Sequence, residues 1–294
     1  MTDPAPLLVV DAPSLLYRAF FALPSSIKGA DGGSVNALLG TSNLLLQAVE
    51  RFAPRAVVLC FGAEAAAYRT AAWPGYHADR PPMPEDLVPQ WEVAPGFFGA
   101  FGWPSEHAGD LEADDLLGAF ARLETEAGGR AVLFTGDRDM FQCVTEDVTV
   151  LYPGGKGGPM EMDPAAVRAK YGVDPSQVPD FIALRGDPSD GLPGAKGIGE
   201  KTAAKLLREH GTLEALLVLA ATPVAARSAG LSPRAIGALT DQADELRAFR
   251  DIATLRPVDV TRPEDGQTRW ADAAAAARQR GMNRLAERLD ALAT

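Results

Sequence analysis

Three short apolar runs, each closed by polar or acidic positions, organise the first half of the chain. LLVVD (7–11), AVVLCFG (56–62) and AVLFTGDRD (131–139) begin with unbroken apolar residues, so each reads as a strand buried on both faces. Between them the apolar period changes to that of helices. LLYRAFFAL follows the first run, then a Gly-rich loop, then a long helix predicted from about Val35 to Phe52. Glu112 to Ala127 places Leu116, Leu117, Phe120 and Leu123 on one helical face. Strands alternating with helices predict a mostly parallel α/β sheet, whose ligands gather at the carboxyl ends of the strands. Asp11, Asp137 and Asp139 stand at such ends.

Residues 70–104 break the pattern. Dense in Pro, Gly and aromatics, they read as an irregular excursion with one short helix. From about Asp163 the periodicity is helical and the strand signal fades. Residues 263–294 hold an Ala-rich helix and a second one, RLAERLDAL. The expected organisation is an α/β core over 1–162, a helical region over 163–262, and C-terminal helices over 263–294 packed on the body.

Composition narrows the class. With 294 residues and 47% hydrophobic content the chain can bury a substantial core. No basic segment precedes an apolar stretch at the start, and the longest apolar run, Ala215 to Ala226, is too short to span a bilayer. Cys60 and Cys143 fit neither a metal spacing nor a disulfide framework, and His77, His107 and His210 form no ligand pattern. A soluble, cytoplasmic monomer with no membrane partner is expected. The net charge of −11 argues against a nucleic-acid partner only if the acids are evenly spread.

They are not. GDLEADDLLG (109–118) crowds Asp110, Glu112, Asp114 and Asp115 at a helix start, where a solvent-facing acidic first turn would be the ordinary reading. Asp137 and Asp139 close a strand, Asp187 and Asp190 lie in GDPSDG, and Asp11 adds an eighth carboxylate to Glu112, Asp114, Asp115 and these four. All-oxygen donors at strand ends, a helix start and a loop suit Mg²⁺ or Mn²⁺ rather than Zn²⁺. The cations would offset the mutual repulsion. Directly after, SDGLPGAKGIGEKTAAKLLREHG (189–211) sets Gly191, Gly194, Gly197 and Gly199 in a turn before a helix. That helix carries Lys201, Lys205 and Arg208 on one face, with Lys196 in the turn. Such a turn lets backbone N–H groups approach a phosphate, and it resembles a helix–hairpin–helix element that grips a nucleic-acid backbone.

VVDAPSLLYRAF, RPPMPEDL, GDLEADDLLG, FTGDRDMFQCV and GDPSDGLPGAKGIGEKTA resemble, in order and spacing, the bacterial flap endonuclease/5′-exonuclease family. That family includes the N-terminal nuclease domain of DNA polymerase I and stand-alone relatives. The resemblance covers roughly residues 5–260. It implies a PIN-like α/β domain and a helix–three-turn–helix region that holds duplex DNA, often around K⁺. It also implies metal-dependent hydrolysis of DNA phosphodiesters at 5′ ends, nicks or 5′ flaps, in replication and repair. Two cations, with a third allowed, would activate a water and stabilise the leaving oxygen.

Carried over by position, the metal-binding carboxylates are Asp11, Glu112, Asp114, Asp115, Asp137, Asp139, Asp187 and Asp190. Asp11, Asp114, Asp137 and Asp139 are the expected catalytic centre, with Arg69 and Arg80 beside the scissile phosphate or flap. Tyr17 and Arg18, with Gly194, Lys196, Gly197, Gly199, Lys201, Lys205 and Arg208, are the expected DNA contacts.

The chain departs from the family at three places. Gly62 stands where an aspartate usually ends the second strand, His77 replaces a lysine, and Pro95, Gly96, Gly99 and Gly102 disfavour a long arch helix. An aspartate restored at Gly62 is expected to be tolerated, with Glu64 and Asp79 as candidates to approach the gap. Two alternatives stand beside the DNA nuclease: a junction-binding module with a decayed site, and a nuclease acting mainly on RNA in RNA–DNA hybrids.

Overall fold

The computed structural model describes residues 4–154 and 158–293. Strand β1 (Leu7–Asp11) runs straight into α1 (Ala12–Ala22), followed by α2 (Asn36–Phe52), β2 (Ala56–Phe61) and α3 (Ala67–Ala72). Next come α4 (Val88–Gly99), β3 (Ser105–His107), α5 (Ala113–Glu126), β4 (Ala131–Phe134), a 3₁₀ turn at Asp139–Cys143, β5 (Val148–Tyr152) and β6 (Met160–Met162). The helical region holds α6 (Pro164–Tyr171), α7 (Val178–Arg185), α8 (Glu200–His210), α9 (Leu213–Ala220), α10 (Pro223–Ser228), α11 (Pro233–Asp241) and α12 (Ala243–Ala253). Helices α13 (Trp270–Gln279) and α14 (Asn283–Leu292) follow.

The sheet order is β3-β2-β1-β4-β5-β6, parallel except for β6, which runs antiparallel to β5. Leu7 pairs with Ala56 on one side and Ala131 on the other. The chain works outward from β1 to β3, then returns to place β4 on the opposite flank of β1. The order therefore reverses between β1 and β4, and a crevice opens beyond their carboxyl ends.

Alternation along β1 assigns the two faces. Leu7 and Val9 enter a core with α5 and the helical region, including Phe181, Leu207 and Phe249. Leu8 and Val10 enter a second core with residues of α1, α2, α4, α13 and α14. The C-terminal helices thus pack on the sheet. The segment before them is anchored by the buried Glu124, which accepts from Arg55 Nε and Arg262 Nε, each at 2.9 Å.

The excursion at 70–104 is less irregular than its composition predicts. α4 runs for 12 residues through Pro95, and Phe97, Phe98, Phe101 and Trp103 are buried core. Pro89 in the first helical turn loses no needed donor, and aromatic burial outweighs the missing Pro95 hydrogen bond. β3, β5 and β6 were not expected. They are short or lie at the sheet margin, although VTVLY carries an apolar alternation. No described helix is long and apolar enough to cross a membrane.

Candidate active site

The crevice at the β1/β4 reversal is a cavity of about 1020 Å³. Asp11, Glu112, Asp114, Asp137, Asp139, Asp187 and Asp190 all line it, as do Tyr17, Arg69 and Arg80. Seven of the eight predicted carboxylates are brought together.

Asp11 ends β1 and caps α1, accepting from Ser14 N–H at 3.0 Å. Its other oxygen accepts from the Thr135 hydroxyl at 2.6 Å. Thr135 in turn accepts from Asp137 N–H at 2.9 Å, and Asp137 Oδ1 accepts from Asp139 N–H at 2.8 Å. The loop after β4 is thereby tied to the end of β1. Asp114 projects into the cavity from the first turn of α5.

A second set of carboxylates is held differently. Glu112 accepts from Ala66 N–H at 2.7 Å and the Tyr76 hydroxyl at 2.9 Å, and pairs with Arg69 at 2.5 Å. Asp190 pairs with Arg80 at 3.3 Å and faces His77 Nε2 at 3.1 Å. Asp187 pairs with Arg185 at 3.0 Å and accepts from Ser189 N–H at 2.9 Å. Asp115 does not line the cavity: its carboxylate accepts from Arg256 N–H at 2.7 Å and Glu112 N–H at 3.3 Å, and lies 3.5 Å from Arg69. Glu112 and Asp115 form a reciprocal capping box for α5.

Protonation separates the sets. Among the described residues no cation forms an ion pair with Asp11, Asp114, Asp137 or Asp139. Burial, followed by the charges of Asp137 and Asp11, pushes the Asp114 carboxyl well up. Asp139 is raised by burial, then by Asp137 and Asp190. Asp11 is raised by burial despite the Thr135 and Ser14 hydrogen bonds. Asp137 is pushed up to about 7 by burial, then by the charge of Asp190. All four groups therefore favour an added positive charge, whether a proton or a cation.

The donors fit hard divalent cations, being carboxylates at a water-accessible cavity. Among the described residues no three metal-ligating side chains converge as a finished cage. Mg²⁺ and Mn²⁺ retain several waters and do not require one.

The two arginines differ. Arg69 is only 4% exposed, and its guanidinium is engaged with Glu112, Asp115 and the Tyr68 and Tyr76 hydroxyls. It positions carboxylates. The Arg80 side chain is 47% exposed and reaches the cavity. Arg18 donates to Gly154 C=O at 3.1 Å, away from the carboxylates. Glu64 lines the cavity and accepts from Tyr17 at 3.0 Å, whereas Asp79 does not line it.

Gly62 corrects the sequence expectation. A Cβ there would stand 2.4 Å from Ala113 N and 2.5 Å from Glu112 C, backbone atoms at the start of α5. The strand end and the helix start touch, so an aspartate cannot be restored without moving α5. His77, at a left-handed φ of 55°, bridges this region to the 187–191 loop, with Nδ1 2.8 Å from Glu64 C=O.

The glycine turn leads from the cavity to α8. Gly194 has φ 71°, and a Cβ on it would lie 2.3 Å from Gly186 N. Gly199 precedes α8 with open space around it. Lys201, Lys205 and Arg208 are exposed, and Ala203, Leu206 and Leu207 are buried, giving the predicted basic face. Lys196 and Gly197 are exposed in the same turn. Sequence reasoning missed Thr135, Tyr76, Arg185 and Arg256. Thr135 had a signal, a hydroxyl between a strand end and an aspartate, and Arg185 lies only two residues from Asp187; Tyr76 and Arg256 act across long sequence separations.

Carboxylates clustered at a sheet reversal, beside a glycine turn and a basic helix, suit an α/β protein that handles phosphoryl groups. The profile of "5′-3′ exonuclease, N-terminal resolvase-like domain" matches residues 6–172, and that of "5′-3′ exonuclease, C-terminal SAM fold" matches 173–272. A 5′-3′ exonuclease of Streptomyces coelicolor is 36% identical over 274 residues, covering 88% of each chain. DNA polymerase I of Mycobacterium bovis is 40% identical over 213 residues, or 72% of this chain. The chain matches only 24% of that polymerase's length. Among solved structures, T5 5′-exonuclease with bound zinc superposes with TM-score 0.69 at 17% identity, covering 98% of this chain and all of that one. The catalytic core of Rad2 with DNA substrate gives 0.62 at 17% identity, covering 97% and 90%. The chain belongs to the 5′-3′ exonuclease family.

Proposed function

We propose that the chain hydrolyses DNA phosphodiesters at 5′ ends, nicks or 5′ flaps as a 5′-3′ exonuclease and flap endonuclease, using two Mg²⁺ or Mn²⁺ ions. The observation that carries the reading is the set Asp11, Asp114, Asp137 and Asp139, converging on one crevice with none of the four ion-paired to a protein cation among the described residues. A site that had lost its chemistry has no reason to keep such repulsion, which argues against the decayed module.

When bound, the ions supply water activation and stabilisation of the leaving oxygen. The residues that would hold them are Asp11, Asp114, Asp137 and Asp139, with Glu112, Asp187 and Asp190 acting directly or through water. Thr135 fixes Asp11 and Asp137 relative to one another. Arg69 and Tyr76 hold Glu112. Arg80 is free enough to transfer its guanidinium from Asp190 to a substrate phosphate. The exposed face of α8, Lys201, Lys205 and Arg208, with the 194–199 turn, suits a duplex backbone, and K⁺ is a candidate for that turn. A monomeric, cytoplasmic enzyme is consistent with this reading.

Labelled 5′-flap, nicked and RNA-primed duplexes, incubated with and without Mn²⁺, test it. Cleavage of the flap or nicked duplex only with the metal is expected. Tight binding without cleavage at any metal concentration would leave a binding module, and cleavage confined to the RNA-primed duplex would leave an RNA-directed nuclease.

A further inference from the structure

Beside the carboxylate cavity, where β4 and β5 meet the helical region, lies a cluster that the reaction described above does not use. Lys170, near the end of α6, holds Nζ 5.0 Å from the Tyr152 ring centre, 5.7 Å from that of Tyr171 and 5.9 Å from that of Phe141. Arg185, the last residue of α7, lies 5.2 Å from the Phe181 ring centre and 5.8 Å from that of Tyr171. Arg138 is exposed between Asp137 and Asp139. Arg138, Tyr152 and Arg185 all line the cavity.

Two observations mark this cluster as prepared for a ligand. Among the described residues neither Arg138 nor Lys170 pairs with a carboxylate, in a chain whose net charge is −11. Arg69 and Arg80, by contrast, are both paired. Secondly, two buried polar atoms here have no hydrogen-bond partner: the hydroxyl of Tyr171, a residue only 8% exposed, and Arg185 Nε. A buried polar group left unpaired is unfavourable, and a polar ligand would relieve it. The rings of Tyr152, Tyr171, Phe141 and Phe181 hold the Lys170 and Arg185 cations in place through cation–π contact.

We propose that Arg138, Lys170 and Arg185 form a phosphate subsite on the helical-region side of the carboxylates, taking a phosphate of the nucleic-acid strand being cleaved. Its place favours this strand: Arg185 also pairs with Asp187 and faces Glu200, the first residue of α8, at 3.6 Å. The subsite therefore lies between the metal-liganding loop and the basic helix. The phosphate is either an internal phosphodiester or a 5′-terminal phosphomonoester. The assignment rests on the nuclease reading.

The test measures affinity of the full chain for a nicked duplex carrying a 5′-phosphate or a 5′-hydroxyl, across salt concentrations, with Ca²⁺ replacing the catalytic metal. Arg138→Ala and Lys170→Ala should each weaken binding about three- to tenfold and make the salt slope shallower by about 1. Lys170→Arg should retain wild-type affinity. Lys170 is exposed, so its variants should fold. A loss confined to the 5′-phosphorylated duplex assigns the terminal phosphate, and an equal loss on both assigns an internal one. Unchanged affinity and slope in both alanine variants, with normal wild-type binding, overturns the subsite alone. Absence of wild-type binding to either duplex overturns the nuclease reading and the subsite together.

Discussion

Two groups of carboxylates share one cavity, yet the protein treats them in opposite ways. Glu112, Asp187 and Asp190, with Asp115 behind them, are each held by an arginine. Asp11, Asp114, Asp137 and Asp139 are held only by neutral hydrogen bonds or by none; burial raises the proton affinity of all four, and repulsion from neighbouring carboxylates adds to it at Asp114, Asp137 and Asp139. The first group is neutralised within the fold. The second has no ion-pair partner among the described residues, and the proposed cations would supply the missing positive charge. The difference teaches that acids in one motif are not equivalent, because an adjacent arginine changes what a carboxylate does.

The sharpest way to break this contrast is to neutralise one member of each group. Asp137→Asn or Asp114→Asn should lower cleavage on the order of 10²–10³-fold or more, since either removes charge where it develops a metal site. Neither should lower the stability of the metal-free protein, because each removes repulsion. Asp115→Asn should do the reverse, costing about 3 kcal/mol in a denaturant titration by leaving Arg69 and Arg256 N–H poorly paired in the interior. Equal stability losses in both groups would erase the distinction.

Gly62 sharpens the comparison at its edge. With backbone 2.4 Å from its missing Cβ, Gly62→Asp and Gly62→Ala should each cost about 1–3 kcal/mol or more by overpacking. Matching losses would show that the side-chain volume matters, not the charge. A stable Gly62→Asp with stronger Mg²⁺ binding would instead return this position to the ligand set.

Much of this was legible in the chain. Unbroken apolar runs gave β1, β2 and β4, and the acids after β1 and β4 fell at the sheet reversal because parallel topology puts them there. α5 was legible from its apolar face, and the start of α8 from its glycines and lysines. α4 was obscured, since Pro95, Gly96 and Gly99 penalise a helix locally while the burial of Phe97 and Phe98 that rescues it is a tertiary effect. The division of the carboxylates was also hidden. Arg69 reaches Glu112 and Asp115 across more than 40 residues, with |i−j| of 46 to Asp115. No local pattern announces that pairing, nor the contact between Gly62 and the start of α5.

The most direct measurement is the thermal stability of the metal-free protein against pH, with and without Mn²⁺. Asp137 holds its proton up to about pH 7 when folded but releases it near 3.8 when unfolded. Its contribution is therefore fully present below about pH 4 and lost as pH rises towards 7, because the unfolded state gives up the proton first. In the proposed site, Mn²⁺ would replace that proton. At saturating Mn²⁺ the melting temperature should rise by about 5–10 °C at pH 7.5, and by clearly less at pH 5, where protons compete. Asp137→Asn should flatten the metal-free pH dependence and lose most of the Mn²⁺ effect. A wild-type melting temperature unmoved by Mn²⁺ at pH 7.5, or a Mn²⁺ shift that Asp137→Asn and Asp114→Asn leave intact, would contradict the account.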